Sequence, residues 1–223
     1  MVKHLSLDKI VLSLISFVFL WTLVTDAWGY SGYLFNFNNG TYIYAYISRF
    51  IWVIPAILLI IQYNNSLYIG WKQLFSHPHF EKPLIIVILV SFIYVVIEML
   101  VYHKGFWFNE EINLSLEIIK LIVVGFVEEI VFRGWGYNVL KKNVSTGKAI
   151  ILSTTFFVLL HWPAYFIKLY KFGAFNVSGI ITQSFSALIW GIVFCWLLEK
   201  GNSLWNPIIA HAFYDLMLVL FVG

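Results

Sequence analysis

Long apolar runs constrain this chain more than any other feature of its sequence. A bilayer core about 30 Å thick is crossed by a helix of about 20 apolar residues, so runs of that length predict transmembrane helices. The predicted spans are residues 8–28, 42–63, 84–102, 115–140, 148–169, 178–198 and 204–222. The longest polar stretches between them, residues 29–41 and 64–83, are predicted to be loops.

The fifth of these runs contains Pro163, which removes a backbone hydrogen bond and is expected to interrupt a helix. A helix followed by a short re-entrant or interfacial piece is the alternative to a simple span there. The first run follows Lys3 and Lys9 but no small-residue cleavage site comes after it, which predicts a retained helix and not a signal peptide. The sequence therefore predicts an all-α, polytopic membrane helix bundle with about seven to eight transmembrane helices.

Composition supports the same fold class. Hydrophobic residues make up 61% of the 223-residue chain and charged residues only 11%, whereas soluble domains carry about a quarter charged residues. The formal net charge of +3 is therefore ascribed to orientation and lipid contact, with the bilayer and no nucleic acid as partner. One cysteine, Cys195, excludes an internal disulfide. Residues 1–223 are predicted to form a single membrane domain.

The lysines predict the orientation, because cytoplasmic loops of membrane proteins are enriched in basic residues. With the N-terminus inside, eight lysines fall on the cytoplasmic side and three, Lys104, Lys168 and Lys171, fall outside. The cytoplasmic set is Lys3, Lys9, Lys72, Lys82, Lys141, Lys142, Lys148 and Lys200. The chain is thus predicted to be an integral membrane protein with a cytoplasmic N-terminus.

The span at 115–140 is unusual because it contains Glu128, Glu129 and Arg133. Each ionised group near the bilayer centre costs about 2.5–3.5 kcal/mol, on the order of 9 kcal/mol for three, while the apolar residues of the span recover on the order of 6 kcal/mol. Glu129 and Arg133 are four residues apart and can form an ion pair, whereas Glu128 is rotated by about 100° from Glu129. One carboxylate is then structural and the other available for chemistry, unless all three groups only fix helix packing.

Two further spans carry polar residues to a similar depth. His161 lies 13 residues after Lys148, and His211 lies 11 residues after Lys200, with Asp215 one turn later on the same face. At about 1.5 Å per residue, these groups lie about 16–20 Å from the cytoplasmic surface, as does Glu128. A lone histidine is usually a packed core residue, but groups from three helices at one depth predict a shared site.

These residue types suit hydrolysis in a hydrated cavity. A glutamate can take a proton from water, and histidines can stabilise an oxyanion or hold a divalent metal such as zinc. Asp215 could orient His211 or add a ligand. No G-x-S-x-G or H-E-x-x-H motif is present, nor the G-x-G-D of intramembrane aspartyl proteases.

Three motifs carry a family resemblance: E-E-x-x-x-R at 128–133, F-x-x-x-H at 157–161 and H-x-x-x-[N/D] at 211–215. Their order and their placement on separate helices resemble the CPBP (Abi) family, which comprises the CAAX prenyl proteases and bacteriocin-processing enzymes. The resemblance covers about residues 115–222, the implied catalytic core. It implies an intramembrane endopeptidase, often described as a metalloprotease, acting on a peptide or protein in or at a bacterial cell membrane.

The resemblance also implies roles for the catalytic residues. Glu128 would be the general base, supported by Glu129 and Arg133, while His161 and His211, with or without Glu128, would bind a metal or the oxyanion. Asp215 departs from the asparagine that often ends the third motif. Bacteriocin self-immunity or peptide maturation is the implied role, and trimming of prenylated C-termini fits the small size less well. The alternatives are a non-catalytic immunity or scaffold protein and, less favoured, an ion-coupled transporter.

Overall fold

The computed structural model describes residues 5–35, 40–76, 82–173 and 177–223, and these ranges contain helices and no strand. The helices are α1 (Leu7–Phe35), α2 (Gly40–Gln62), α3 (Trp71–Leu74), α4 (Lys82–His103), α5 (Leu114–Glu129), α6 (Asn138–Asn143), α7 (Thr146–Phe172), α8 (Val177–Gly201) and α9 (Trp205–Phe221). A short 3₁₀ turn covers Asn64–Ser66. A π-helix, Ile130–Tyr137, joins α5 to α6. Residues 114–143 therefore form one continuous helical stretch.

The seven predicted spans coincide with α1, α2, α4, the continuous stretch 114–143, α7, α8 and α9, which confirms the all-α membrane bundle. Within the part of the chain that the structure describes, four segments are long and apolar enough to cross a membrane: Leu7–Val24, Lys82–His103, Thr146–Ile167 and Val177–Gly201. Ser48–Gln62 and Trp205–Phe221 are shorter apolar helices. The charged stretch 114–143 belongs to neither group, and it packs against α2, α7 and α9.

Two local predictions were wrong. The stretch 29–41 is helical as far as Phe35 and again from Gly40, and residues 36–39 lie outside the described ranges. Helix α7 also continues through Pro163 to Phe172, so the predicted interruption and the re-entrant or interfacial piece do not occur within it. Contacts from α7 to α8 on both sides of the proline explain this continuity: Trp162 Nε1 donates to Ser184 Oγ (3.0 Å) and the Tyr165 hydroxyl donates to the Gly179 carbonyl (3.1 Å).

Contacts between helix ends and loops identify the two ends of the bundle. At one end Lys141 contacts Glu199 and lies 4.5 Å from the Tyr68 ring centroid. The start of α1 lies near this end, because Trp135 Nε1 donates to Ser13 Oγ (2.8 Å). At the opposite end, a His103 ring nitrogen lies 3.1 Å from the carbonyl oxygen of Val222, and Asn109 N–H donates to Leu220. The end near Lys141 is thus the one predicted to be cytoplasmic.

The π-helix occupies the centre of the bundle, and all its residues are buried. An added Cβ at Gly136 would lie 2.9 Å from the Leu14 side chain, so glycine permits the close approach of α1. The Ser153 hydroxyl on α7 donates to the carbonyl of Phe132 (2.8 Å). π-Helical turns often occur at functional sites, and this one carries Arg133 into the interior.

Candidate active site

Glu129 and Arg133 form an ion pair at the centre of the bundle. Arg133 Nη1 donates to Glu129 Oε1 at 2.9 Å, and both side chains have 0% exposure. Arg133 Nη2 donates to the Gly191 carbonyl on α8 at 3.3 Å. Burying either charge alone would be very costly, so the pair ties the π-helix to α5 and α8.

Aromatic rings enclose the guanidinium. Arg133 Cζ lies 4.2 Å from the ring centroid of Phe157 and 5.1 Å from that of Phe194, distances at which a cation is attracted to an aromatic face. Phe194 also stacks on His211, with centroids 4.9 Å apart. The phenylalanine of the second motif therefore contacts the arginine of the first.

His211 connects the ion pair to two further carboxylates. Its Nδ1 lies 2.9 Å from Glu129 Oε1, and because a carboxylate accepts, Nδ1–H is the donor. Its Nε2 lies 3.9 Å from Glu128 Oε2 and 3.5 Å from Asp215 Oδ2. Glu129 therefore orients the ring, and Asp215 faces the opposite nitrogen.

Glu128 is in a different position from its neighbour. It is 7% exposed and lines a cavity of about 310 Å³ between α1, α5, α7 and α8. The cavity is lined by Trp21, Glu128, Leu160, His161, Ala164, Tyr165 and Gln183. Glu128 and Glu129 point in different directions from the helix, so Glu128 lies at a cavity and Glu129 is buried in an ion pair.

His161 lies on the same cavity wall and is half-buried. Its Nδ1 lies 2.9 Å from the Phe157 carbonyl, so this nitrogen carries the hydrogen and donates it. Only Nε2 of this ring is left for contact with a substrate or water.

The structure thus brings all six predicted residues to one region. Glu128, Glu129, Asp215 and Arg133 surround His211 through the contacts above, and His161 shares the cavity with Glu128. Their catalytic roles stay predictions. Sequence reasoning missed Trp21, Tyr165 and Gln183, of which only Gln183 had a usable signal, a carboxamide inside the sixth apolar run.

The predicted metal has no ready-made ligand set. Among the described residues, no group of three or more His, Cys, Asp and Glu side chains is arranged to hold a metal ion. Nδ1 of each histidine is already hydrogen-bonded, which leaves one nitrogen per ring. A metal at His161 and His211 stays a prediction, and no chemical step below passes through one.

An all-α integral membrane bundle with buried acids and histidines beside a cavity defines the general class of this protein, a membrane protein with an internal polar site. Residues 111–217 match the family model of the Type II CAAX prenyl endopeptidases, Rce1-like. The matched region contains all three motifs, and the match confirms the resemblance to the CAAX intramembrane proteases that they predicted. No curated protein sequence and no solved structure matches the chain.

Proposed function

We propose that this protein is an intramembrane endopeptidase of the CAAX type in which Glu128 activates the attacking water. The observation that carries the proposal is that two adjacent glutamates lie in different environments. Glu129 is buried against Arg133 and His211, whereas Glu128 lines a cavity together with His161. A buried charge pair needed only for packing would not require a second carboxylate at a cavity.

The reaction follows from general-base chemistry. Glu128 takes one proton from a water molecule while the water oxygen bonds to the carbonyl carbon of a peptide. The resulting tetrahedral intermediate collapses, the C–N bond breaks, and the proton passes to the leaving amine. The products are a free carboxylate and a free amine, so the step needs no reductant, oxidant or second substrate.

His211 supports this chemistry from behind Glu128. Its Nδ1–H is fixed by Glu129, so its Nε2 points toward Glu128 and Asp215. The proton that Glu128 removes from water can then be held between the Glu128 and Asp215 carboxylates and His211 Nε2. Arg133 acts through Glu129 and is a positioning residue in this scheme.

A divalent metal, zinc for example, is a separate proposal. The nitrogen left on each histidine and the Glu128 carboxylate are the groups that would hold it, and it would supply Lewis-acid polarisation of the peptide carbonyl. Chelation of the purified protein followed by metal analysis and re-addition tests it. Loss of hydrolysis together with loss of stoichiometric metal supports a resident ion, and full hydrolysis by metal-free protein contradicts it.

The test of hydrolysis compares the wild type with Glu128→Gln in proteoliposomes. The substrates are two internally quenched peptides ending in a CAAX sequence, one farnesylated at the cysteine and one unmodified. We expect the wild type to cleave the farnesylated peptide and Glu128→Gln to lose about 10²–10⁴-fold in rate, the usual contribution of a general base. Equal rates for both proteins, or no cleavage of either peptide by the wild type, would contradict the proposal.

The biological role proposed is bacteriocin self-immunity or peptide maturation. The alternative is a non-catalytic immunity or scaffold protein that keeps the site but acts by binding. Glu128→Ala in the native host, at matched membrane levels, separates them: loss of resistance or processing favours the enzyme, and full resistance favours binding. An ion-coupled transporter is disfavoured because five of the six polar site residues lie on just two helical stretches, 114–143 and α9.

We also propose a bacterial cell-membrane location with a cytoplasmic N-terminus. The grouping of Lys141 with the start of α1 at one end of the bundle supports this orientation. A membrane-impermeant thiol reagent tests it on two single-cysteine variants, Lys142→Cys and Lys104→Cys, made in a Cys195→Ser background. Labelling of residue 104 but not residue 142 in intact cells is expected, and the reverse pattern would overturn the orientation.

A further inference from the structure

Hydrolysis of a peptide needs a hydrogen-bond donor for the oxygen that becomes negative. Preorganised N–H groups usually supply this stabilisation. Nδ1–H of His161 and of His211 is already donated, to the Phe157 carbonyl and to Glu129. In a neutral His161 ring the other nitrogen, Nε2, is an acceptor. His211 Nε2 lies 3.5 Å from Asp215 Oδ2 and 3.9 Å from Glu128 Oε2, so a proton on it is directed at these carboxylates.

The other groups of the site do not fill this need either. An ionised Asp215 or Glu128 only accepts hydrogen bonds. Arg133 is completely buried and its donors Nη1 and Nη2 are directed at Glu129 and Gly191. The Tyr165 hydroxyl donates to the Gly179 carbonyl.

Gln183 supplies what these groups lack. Its carboxamide carries two N–H donors, it lines the same cavity as Glu128 and His161, and within the described ranges it has no hydrogen-bond partner. A polar amide inside an apolar transmembrane helix is costly to leave unpaired. A carboxamide at this position is therefore expected to have a partner that enters the cavity.

The packing of α7 on α8 holds Gln183 in register with His161. The residue after His161, Trp162, donates its indole N–H to Ser184, the residue after Gln183. One turn along each helix, Tyr165 donates to the backbone of Gly179. Residues 161 and 165, like 179 and 183, are four apart and lie on one helix face, so the two hydrogen bonds set these faces against each other.

From this geometry we infer that Gln183 is a further catalytic residue, whose side-chain N–H donates to the scissile carbonyl oxygen and stabilises the oxyanion. The inference rests on the proposed hydrolytic function and adds a residue that lies outside its three motifs. Gln183 sits on α8, the helix between the second and third motifs. The donor acts mainly in the transition state, because the charge on the oxygen develops only there.

The test uses Gln183→Met, which keeps the length of the side chain and removes the donors, and Gln183→Glu, which replaces the amide by an acceptor. We expect each to lower kcat about 10²–10³-fold on the farnesylated CAAX peptide with little change in KM, the effect of losing one oxyanion donor. Matched controls are Gln73→Met and Gln73→Glu on α3, an exposed position at the other end of the bundle, where kcat should not change.

The outcomes are separable from those for the proposed function. Membrane levels and unfolding midpoints equal to wild type are required, so that a loss of kcat reports chemistry. If Glu128→Gln abolishes hydrolysis while Gln183→Met keeps the wild-type kcat, the Gln183 inference is overturned and the proposed function stands. A rise in KM with unchanged kcat also overturns it, because Gln183 would then only bind the ground state. If Glu128→Gln remains active, the proposed function itself fails.

Discussion

Helix α4 and the stretch 114–143 differ in both hydrophobicity and burial. Helix α4 is the most hydrophobic candidate span, with a mean hydropathy of 3.0, and only 28% of it is buried in the protein. The π-helix Ile130–Tyr137 carries Arg133 and is buried throughout. In a bilayer the apolar helix needs no protein partner, because lipid tails solvate it, whereas the charged helix requires one. The charged helix is therefore central and the apolar helix peripheral.

The strongest way to break this arrangement is to remove the central cation. Arg133→Met leaves Glu129 buried beside His211 without its ion-pair partner, and breaking a buried pair costs about 3–5 kcal/mol. We expect a loss of that size in the free energy of unfolding, measured by denaturant titration in detergent micelles. Lys142→Met, an exposed cation one residue beyond Lys141, should change it by less than about 0.5 kcal/mol. Equal effects at the two positions would contradict the comparison.

Helix α4 can be tested on its two faces with one substitution. Leu84 is fully buried and Leu89 is 56% exposed. Leu84→Ala should lower the free energy of unfolding by an amount near the lower end of about 2–5 kcal/mol. Packing contacts within the protein are lost, but lipid tails are as apolar as leucine, so the hydrophobic contribution is small. Leu89→Ala should cost less than about 1 kcal/mol, since lipid replaces the lost contacts. Similar unfolding midpoints for both variants would argue against a lipid-facing outer face.

A smaller loss of stability is expected from a substitution at Gly191, whose carbonyl accepts a hydrogen bond from Arg133. An added Cβ at Gly191 would lie 2.6 Å from Thr154 Cγ2. Gly191→Ala should cost about 1–3 kcal/mol by overpacking, and it should lower hydrolysis along with stability.

Gly147→Ala is the control for that substitution, because nothing lies within 4 Å of its added Cβ. At this helical position alanine should be neutral or stabilising by up to about 1 kcal/mol. Thermal unfolding in detergent compares the two variants directly. A stable, active Gly191→Ala protein would show that α7 and α8 can separate without disturbing the site.

Helix positions were predictable because the bilayer sets the length of an apolar run. All the long helices follow from that local rule, and the depth of His161 and His211 follows from the rise per residue. Pro163 shows where the rule stops. Its effect on a helix depends on neighbours, and here α8 anchors α7 on both sides of the proline through Trp162 and Tyr165.

The site was predictable in its members but only partly in its arrangement. Helical spacing paired Glu129 with Arg133 and separated Glu128 from both, as the structure has them. Spacing also placed Asp215 beside His211, yet could not tell which ring nitrogen it would face. Glu129 accepts a hydrogen bond from His211 Nδ1, and Asp215 lies near Nε2. The packing of α5 against α9 determines this arrangement.

By itself, the sequence determined that this chain is a membrane bundle with acids and histidines at one depth, and that it resembles the CAAX proteases. Apolar length and motif order are properties of the chain and need no knowledge of packing. Only the tertiary structure decided that Glu128 lines a cavity, that Glu129 orients His211, and that Gln183 lines the same cavity as His161. These contacts join residues far apart in the chain, and the direction of a side chain between packed helices is set by all its neighbours at once.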